Sequence, residues 1–328
     1  MILDFKERFD LVRGARWAEF VNGAWQFRRM TPELTGVYSY SEPAVIRALT
    51  TTGVRLVFRA APRRIFMEVE YGRACRQLFK MDVSVDGGEP QAFGPDAAAP
   101  GWAGVIFEDA AAAWHRFEVW LPYSMETRIR RFELEGAGEA TPLPAGPGGA
   151  WLALGDSVTQ GMTATRPAHT WTARVARELG LDLVNLAVGG AVYDARVGTP
   201  AGMIPARLAT VAFGANDSFQ KLDPAKVERE AAGLFTGLRA GQPKLIIAAM
   251  TPIPCFETDG TPATGQLDPY REAVRRAAAG CERVQVIEGP SVFPDDFSLF
   301  VEGVHPNDAG MATWARNMAP RLSALLRG

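Results

Sequence analysis

The chain has little cysteine, little histidine, little lysine and almost no net charge. Among 328 residues there are 3 Cys and 3 His, and the formal net charge is −2. Such a balance offers no basic field to hold nucleic acid or an anionic membrane surface. Lysine occurs only at Lys6, Lys80, Lys221, Lys226 and Lys244, so arginine carries nearly all the positive charge. Cys75, Cys255 and Cys281 are odd in number and far apart; they form no metal-ligand spacing and read as buried free thiols. No window approaches the roughly 20 apolar residues of a membrane span. The run MILDFKERFDLVRG carries charge at Asp4, Lys6, Glu7 and Arg8, where a signal peptide needs an unbroken apolar stretch. The expectation is a cytoplasmic protein with neither nucleic acid nor membrane as partner.

What is present suffices for a large core: 47% of residues are hydrophobic and 22% charged, over a length that favours two domains. Up to about residue 140 the sequence reads as short strands broken by turns. VRLVFRA (54–60), IFMEVEYG (65–72), FKMDVSVDGG (79–88), HRFEVWLPYS (115–124) and RIRRFELEG (128–136) mix β-branched and aromatic residues with polar ones. Asp86-Gly87-Gly88 is a tight-turn signal. The stretches at 97–99 and 110–113 are less regular connections. Strands without intervening helical patterns predict an antiparallel sandwich over 1–140. The Gly-, Pro- and Ala-rich stretch around 141–150 predicts a linker.

From 151 to 328 the pattern changes to alternating apolar strands and amphipathic helices. Strands are predicted at 151–157, 181–188, 206–214, 244–253 and 284–289, with helices near 170–180, 223–241, 268–280 and 307–327. Asp223 and Asp268 each precede proline, which predicts a capping residue before the first helical position. This alternation implies a parallel sheet covered on both faces, with ligands bound beyond the carboxyl ends of its strands.

Four short blocks carry chemistry in this half. GDSVTQG (155–161) closes the first strand and turns Ser157 out at the sheet mouth, where a hydroxyl needs a base to attack. NLAVGG (185–190) ends the second strand in glycines whose backbone can approach a reacting group, and Gly190 N–H is a candidate oxyanion donor. FGAND (213–217) offers the amide of Asn216 for the same purpose. EGVHPND (302–308) places His305 in a loop, three residues after Glu302, a carboxylate able to fix the imidazole tautomer. His115 falls in a predicted strand and reads as structural; His169 precedes a helix and reads as a cap-region or surface residue. Each block alone is ordinary turn chemistry. Together they supply nucleophile, base and oxyanion donors, a complete acyl-transfer set.

In this order the blocks resemble the SGNH (GDSL-like) hydrolase superfamily: Ser157, Gly190, Asn216 and His305 stand where its Ser, Gly, Asn and His blocks stand. The resemblance covers about 150–328 and implies a flavodoxin-like three-layer α/β/α domain. It also implies that the Ser157 backbone N–H joins Gly190 N–H and the Asn216 side chain in the oxyanion hole. One block departs from the family: Glu302 occupies the position usually held by Asp. A glutamate is one methylene longer, so its backbone must sit farther back; otherwise a backbone carbonyl holds the histidine and Glu302 only assists. Asp295 and Asp296 are weaker candidates for that acid. A β-rich domain ahead of such a hydrolase resembles two-domain carbohydrate esterases, whose first domain is a jelly roll. That resemblance implies a serine esterase removing acetyl or similar short acyl groups from a sugar, through a Ser157–His305–Glu302 triad and with no metal or organic cofactor. Tyr38, Tyr40 and Trp102 are candidates to stack on a sugar ring, whereas Trp120 reads as core. A lipase, lysophospholipase or thioesterase, an acyltransferase, and a non-catalytic carbohydrate-binding protein are the alternatives. A homo-oligomer is left open.

Overall fold

The computed structural model describes residues 1–328, the side chain of residue 264 apart. The chain divides into two compact units. The first comprises Met1–Thr31, Val45–Ala145 and Thr165–Ala168; the second comprises Pro32–Ala44, Gly146–Ala164 and His169–Gly328.

The first unit is an antiparallel β-sandwich. Its strands are β1 (Val12–Arg13), β2 (Trp17–Val21), β3 (Ala24–Arg28), β4 (Arg55–Ala60), β5 (Arg64–Ala74), β6 (Met81–Val85), β7 (Gln91–Phe93), β8 (Gly101–Glu108), β9 (His115–Trp120), β10 (Met125–Glu135) and β11 (Ala140–Pro142). One sheet runs β1-β4-β9-β6-β7 with β11 also on β4, and the other runs β2-β3-β10-β5-β8. Along the first half of β5, half-buried and buried residues alternate, as a strand with one face in a core requires. Phe5, Phe27, Phe58, Phe117 and Phe132 meet in that core. The Phe58 ring stacks on Phe117 at 5.2 Å and meets Phe132 edge-on at 5.9 Å. Burying each such ring contributes roughly 1.5–3 kcal/mol.

The predicted linker is shorter than its composition implied. Ala140, Thr141 and Pro142 pair with Ala60, Arg59 and Phe58, and proline is tolerated there because β11 is an edge strand. His115 is structural, as expected: its Nδ1 lies 2.6 Å from Asp86 and its Nε2 3.4 Å from Asp109. Trp120 is buried beneath the Arg55 guanidinium, 4.7 Å from its ring centre. Asp82, also fully buried, accepts from Arg166 Nη1 at 3.0 Å and from the Ala168 N–H at 2.7 Å. Those bonds make Thr165–Ala168 part of this unit.

The second unit is built on a parallel sheet of β12 (Gly149–Gly155), β13 (Leu181–Asn185), β14 (Leu208–Ala212), β15 (Ile246–Met250) and β16 (Val284–Ile287), in the order β13-β12-β14-β15-β16. This is the flavodoxin-like order. Residues 151–155 of β12 are all buried, which explains why they read as a continuous apolar run. The helices are α1 (Pro32–Val37), α2 (Glu42–Leu49), α3 (Ser157–Gln160), α4 (Trp171–Leu179), α5 (Gly198–Gly202), α6 (Ala215–Phe219), α7 (Pro224–Gly241), α8 (Asp268–Ala279), α9 (Gly289–Val292) and α10 (Asp308–Arg327), with α2 crossing between the units. α4 packs on α10, while α7 packs on α5 and α8. Asp223 caps α7 as predicted, accepting from the Ala225 N–H. Asp268 does not cap α8. A 3₁₀ turn ending at Leu267 runs straight into the helix, so Asp268 is already helical and instead accepts from Arg271 at 2.8 Å. Among the described residues, no helix is long and apolar enough to cross a membrane.

Candidate active site

In this strand order the crevice opens between the two strands where the chain reverses its direction of winding, β12 and β14. Their ends are level, with Gly155 beside Ala212. A Cβ on Gly155 would stand 2.6 Å from the Ala212 carbonyl oxygen and against the Thr159 side chain, so only glycine lets β12 run this close to β14 before turning. Asp156 then caps α3, its side chain accepting from the Val158 N–H at 3.0 Å. A cap of this kind is worth about 0.5–2 kcal/mol. It fixes Ser157 at the first helical position, where the backbone N–H precedes any that an intrahelical acceptor can reach.

His305 arrives from the other end of the unit. Its Nε2 lies 2.8 Å from Ser157 Oγ, and its Nδ1 is hydrogen-bonded to Glu302 Oε1. An ionised carboxylate can only accept, so Nδ1 carries the hydrogen and Nε2 is left to accept from the serine hydroxyl. Ser157 is 7% exposed, and the Glu302 side chain is 43% exposed. Three contacts hold the loop. The Phe256 N–H donates to the Gly303 carbonyl at 2.8 Å, the Val301 N–H to the His305 carbonyl at 2.9 Å, and Thr163 Oγ1 to the Pro306 carbonyl at 2.8 Å. Asp296 is committed to the Ser298 N–H and hydroxyl and Asp295 is exposed, so the carboxylate at His305 is Glu302.

Asn216 lies on α6, beyond β14. Its Nδ2 donates to the Ala191 carbonyl at 3.0 Å and reaches Asp156 Oδ2 at 3.4 Å. The first contact ties Asn216 to the turn that contains Gly190, an exposed glycine with φ of +80°. The second ties it to the residue before Ser157. Asp156 and Asp217 emerged only in the folded chain as part of this centre. Burial pushes the Asp156 carboxyl up to about 7 and that of Asp217 up to about 6. Asp217 accepts from the Tyr193 N–H at 3.1 Å, and burial also drives the Tyr193 phenol upward. The local signal for Asp156 was available: an aspartate immediately before a helix is a capping residue.

The remaining sequence candidates lie elsewhere. His169 is half-buried and bonded to Asp308 at 2.7 Å, directly before the cap residue Thr170. Tyr38 is buried, Trp102 is partly buried against the sandwich core, and Tyr40 is 59% exposed. Among the described residues, no group of three or more His, Cys, Asp or Glu side chains could hold a metal ion.

A flavodoxin-ordered sheet that carries a serine and a histidine in contact beyond its strand ends defines an α/β acyl hydrolase. Residues 153–313, a little under half of the chain, match the model of the GDSL-like Lipase/Acylhydrolase family, so the second unit carries a domain of that kind. No curated protein sequence matches the chain. Solved structures do. A salicylyl-acyltransferase, SsfX3, from a tetracycline biosynthetic pathway superposes with a TM-score of 0.82 at 24% identity, covering 96% of this chain and 94% of that one. A family two carbohydrate esterase from Cellvibrio japonicus gives 0.67 at 19% identity, covering 96% and 95%. One from Clostridium thermocellum, in complex with cellohexaose, gives 0.67 at 17% identity, covering 84% and 93%. At such identities the likeness speaks for the fold, and the fold it speaks for includes both units.

Proposed function

We propose that the protein is a serine esterase that hydrolyses short acyl esters, acetyl above all, of a carbohydrate or similar small alcohol. The observation that carries this is the Ser157 Oγ–His305 Nε2 contact of 2.8 Å, with Nδ1 already engaged by Glu302. In this reading His305 takes the Ser157 proton as Oγ attacks the ester carbonyl. The N–H groups of Ser157 and Gly190 and the Asn216 amide hold the oxyanion, and Glu302 stabilises the imidazolium. The alcohol leaves with the proton from His305. Water, deprotonated by the same ring, then releases the acid and restores the serine. Every bond is made and broken by groups of this chain, the ester and water. The carbohydrate part is supported by the two esterases that share the fold of both units. A fluorophosphonate probe and a panel of acetylated mono- and oligosaccharides test the proposal: Ser157 becomes labelled and acetate is released. An unlabelled Ser157 in folded protein would defeat it.

Acyl transfer to a second alcohol is the alternative that one observation favours, the 0.82 superposition on a salicylyl-acyltransferase. The chemistry is the same up to the acyl-enzyme, and only the acceptor differs. Adding methanol or a sugar to a p-nitrophenyl acetate assay separates the two. A hydrolase releases mostly acetate, whereas a transferase releases mostly the new ester.

A further inference from the structure

We propose that a small apolar cavity at the carboxyl ends of β12, β14 and β15 is the acyl pocket of this site, and that it confines the acyl group to two or three carbons. The proposal rests on the esterase reading above and adds what that reading leaves open, the size of the acyl group and the residues that set it.

The cavity measures about 30 Å³; its walls are mostly apolar, including Val158, Phe213, Ala215, Met250, Ile253 and Trp314, with Asp156 and Thr251 as polar members. Val158 directly follows Ser157, and Ala215 directly precedes Asn216. Its walls therefore begin at the residues flanking the proposed nucleophile and oxyanion donor. The cavity is also lined by Asp156, whose Oδ2 lies 3.4 Å from Asn216 Nδ2, so it adjoins the proposed oxyanion donor. Water-free burial of a methyl in such a recess is favourable, whereas a polar substituent would lose its hydration.

The walls are not free to retreat. Val158, Phe213, Met250 and Trp314 are all buried. The Trp314 ring stacks on Trp171 at 4.7 Å and meets Phe293 edge-on at 5.9 Å. On the opposite side Gly214 sits at φ of +113°, where a Cβ would stand 2.6 Å from Pro252 Cγ, so the segment after β15 is pressed against the start of α6. A cavity of about 150 Å³ admits a benzene ring, while roughly 10–15 Å³ already admits a water-sized group. The volume here suits one or two carbon atoms beyond the carbonyl. It is too small for an aromatic ring or a hexanoyl tail.

The test is a series of p-nitrophenyl acetate, propionate, butyrate, hexanoate and benzoate, run on the full chain and on Met250→Ala and Ile253→Ala. One methylene in an apolar pocket discriminates by roughly 10–200-fold. The wild type should accordingly lose at least about tenfold in kcat/KM between propionate and hexanoate, and should hydrolyse benzoate poorly. Met250→Ala should raise the hexanoate-to-acetate ratio by at least about tenfold. A defect in folding lowers all five esters together and leaves the ratio unchanged, and Ile253→Ala supplies a second opening should Met250→Ala fail to fold. The proposal is overturned if the wild type cleaves hexanoate as well as acetate. It is equally overturned if a variant that is folded by circular dichroism and labelled by the fluorophosphonate shows the wild-type ratio. Absence of both labelling and ester cleavage in the wild type would instead remove the esterase reading, and the pocket with it.

Discussion

Ser157 and His305 are 148 residues apart in sequence and 2.8 Å apart in space. The contact joins the first strand of the parallel sheet to the loop before its last helix, so its geometry depends on how firmly that loop is held. Glu302, on the far side of the ring, is the group through which the loop acts.

Shortening Glu302 tests that relation. The Glu302 backbone is set by its neighbour Gly303, whose carbonyl accepts from Phe256. An aspartate at this position ends about 1.5 Å short and would leave Nδ1 without its carboxylate. Glu302→Asp and Glu302→Gln should each lower kcat by at least about tenfold, toward the roughly 10⁴-fold seen when a triad carboxylate is neutralised. Wild-type turnover by Glu302→Asp would show that the loop is slack and that the extra methylene has no purpose.

Asn216 is expected to act on the transition state rather than on the fold. Its side chain is half-buried near the start of a five-residue helix and bonds to the Ala191 carbonyl and the Asp156 side chain. Asn216→Ala should reduce kcat by roughly 10²–10³-fold, as for other single oxyanion donors, with KM and melting temperature little changed. Unaltered kcat would exclude it from the mechanism.

Asp156 couples the site to pH through stability. Its carboxyl rises from 3.8 to about 7 on folding, chiefly by burial. The folded chain thus binds the proton more tightly than the unfolded one. This group favours the fold fully below about pH 4, and that contribution is lost as pH rises through 7. Asp156→Asn keeps an oxygen for the Val158 N–H and removes the titration. Its melting temperature should exceed that of the wild type at pH 8, and the difference should vanish near pH 4. Turnover should nevertheless fall, because one of the two acceptors of Asn216 is altered. An unchanged pH profile of melting would mean that Asp156 is solvated in the fold.

The legibility of these features followed burial. The central strands β12, β14 and β15 were readable because a strand buried on both faces is an uninterrupted apolar run, and α7 has a recognisable start in its Asp-Pro cap. In the sandwich, β4, β5, β6, β9 and β10 were readable. The short edge pieces β1, β7 and β11 were not, and β2, β3 and β8 mix Trp, Phe and charge on faces that the period alone cannot assign. The short helices α1 and α2 escaped too, since α1 is stabilised by residues far along the chain, around 195–202. Ser157, Asn216 and His305 stood out as candidates because three loops at one end of the sheet carried complementary chemistry. Met250 and Ile253 were not, because a cavity wall depends on the register between strands rather than on any local pattern.

Gly303 lies between Glu302 and His305 at φ of +58°, in the left-handed region that side chains adopt at a cost of about 1–2 kcal/mol. A Cβ there would also collide with the Phe256 carbonyl oxygen, the oxygen of the residue whose N–H anchors this loop. The two effects predict different outcomes for two substitutions. Asparagine tolerates the left-handed conformation better than alanine, so conformational strain alone would make Gly303→Asn clearly milder than Gly303→Ala. The collision involves the Cβ that both share and cannot be relieved by a flexible side chain. Both variants should therefore lose at least about tenfold in kcat/KM, in step with the displacement of Glu302, while melting falls by only a few degrees. Near-normal turnover in Gly303→Asn would mean that the loop yields at Phe256 and that its grip on His305 comes from elsewhere.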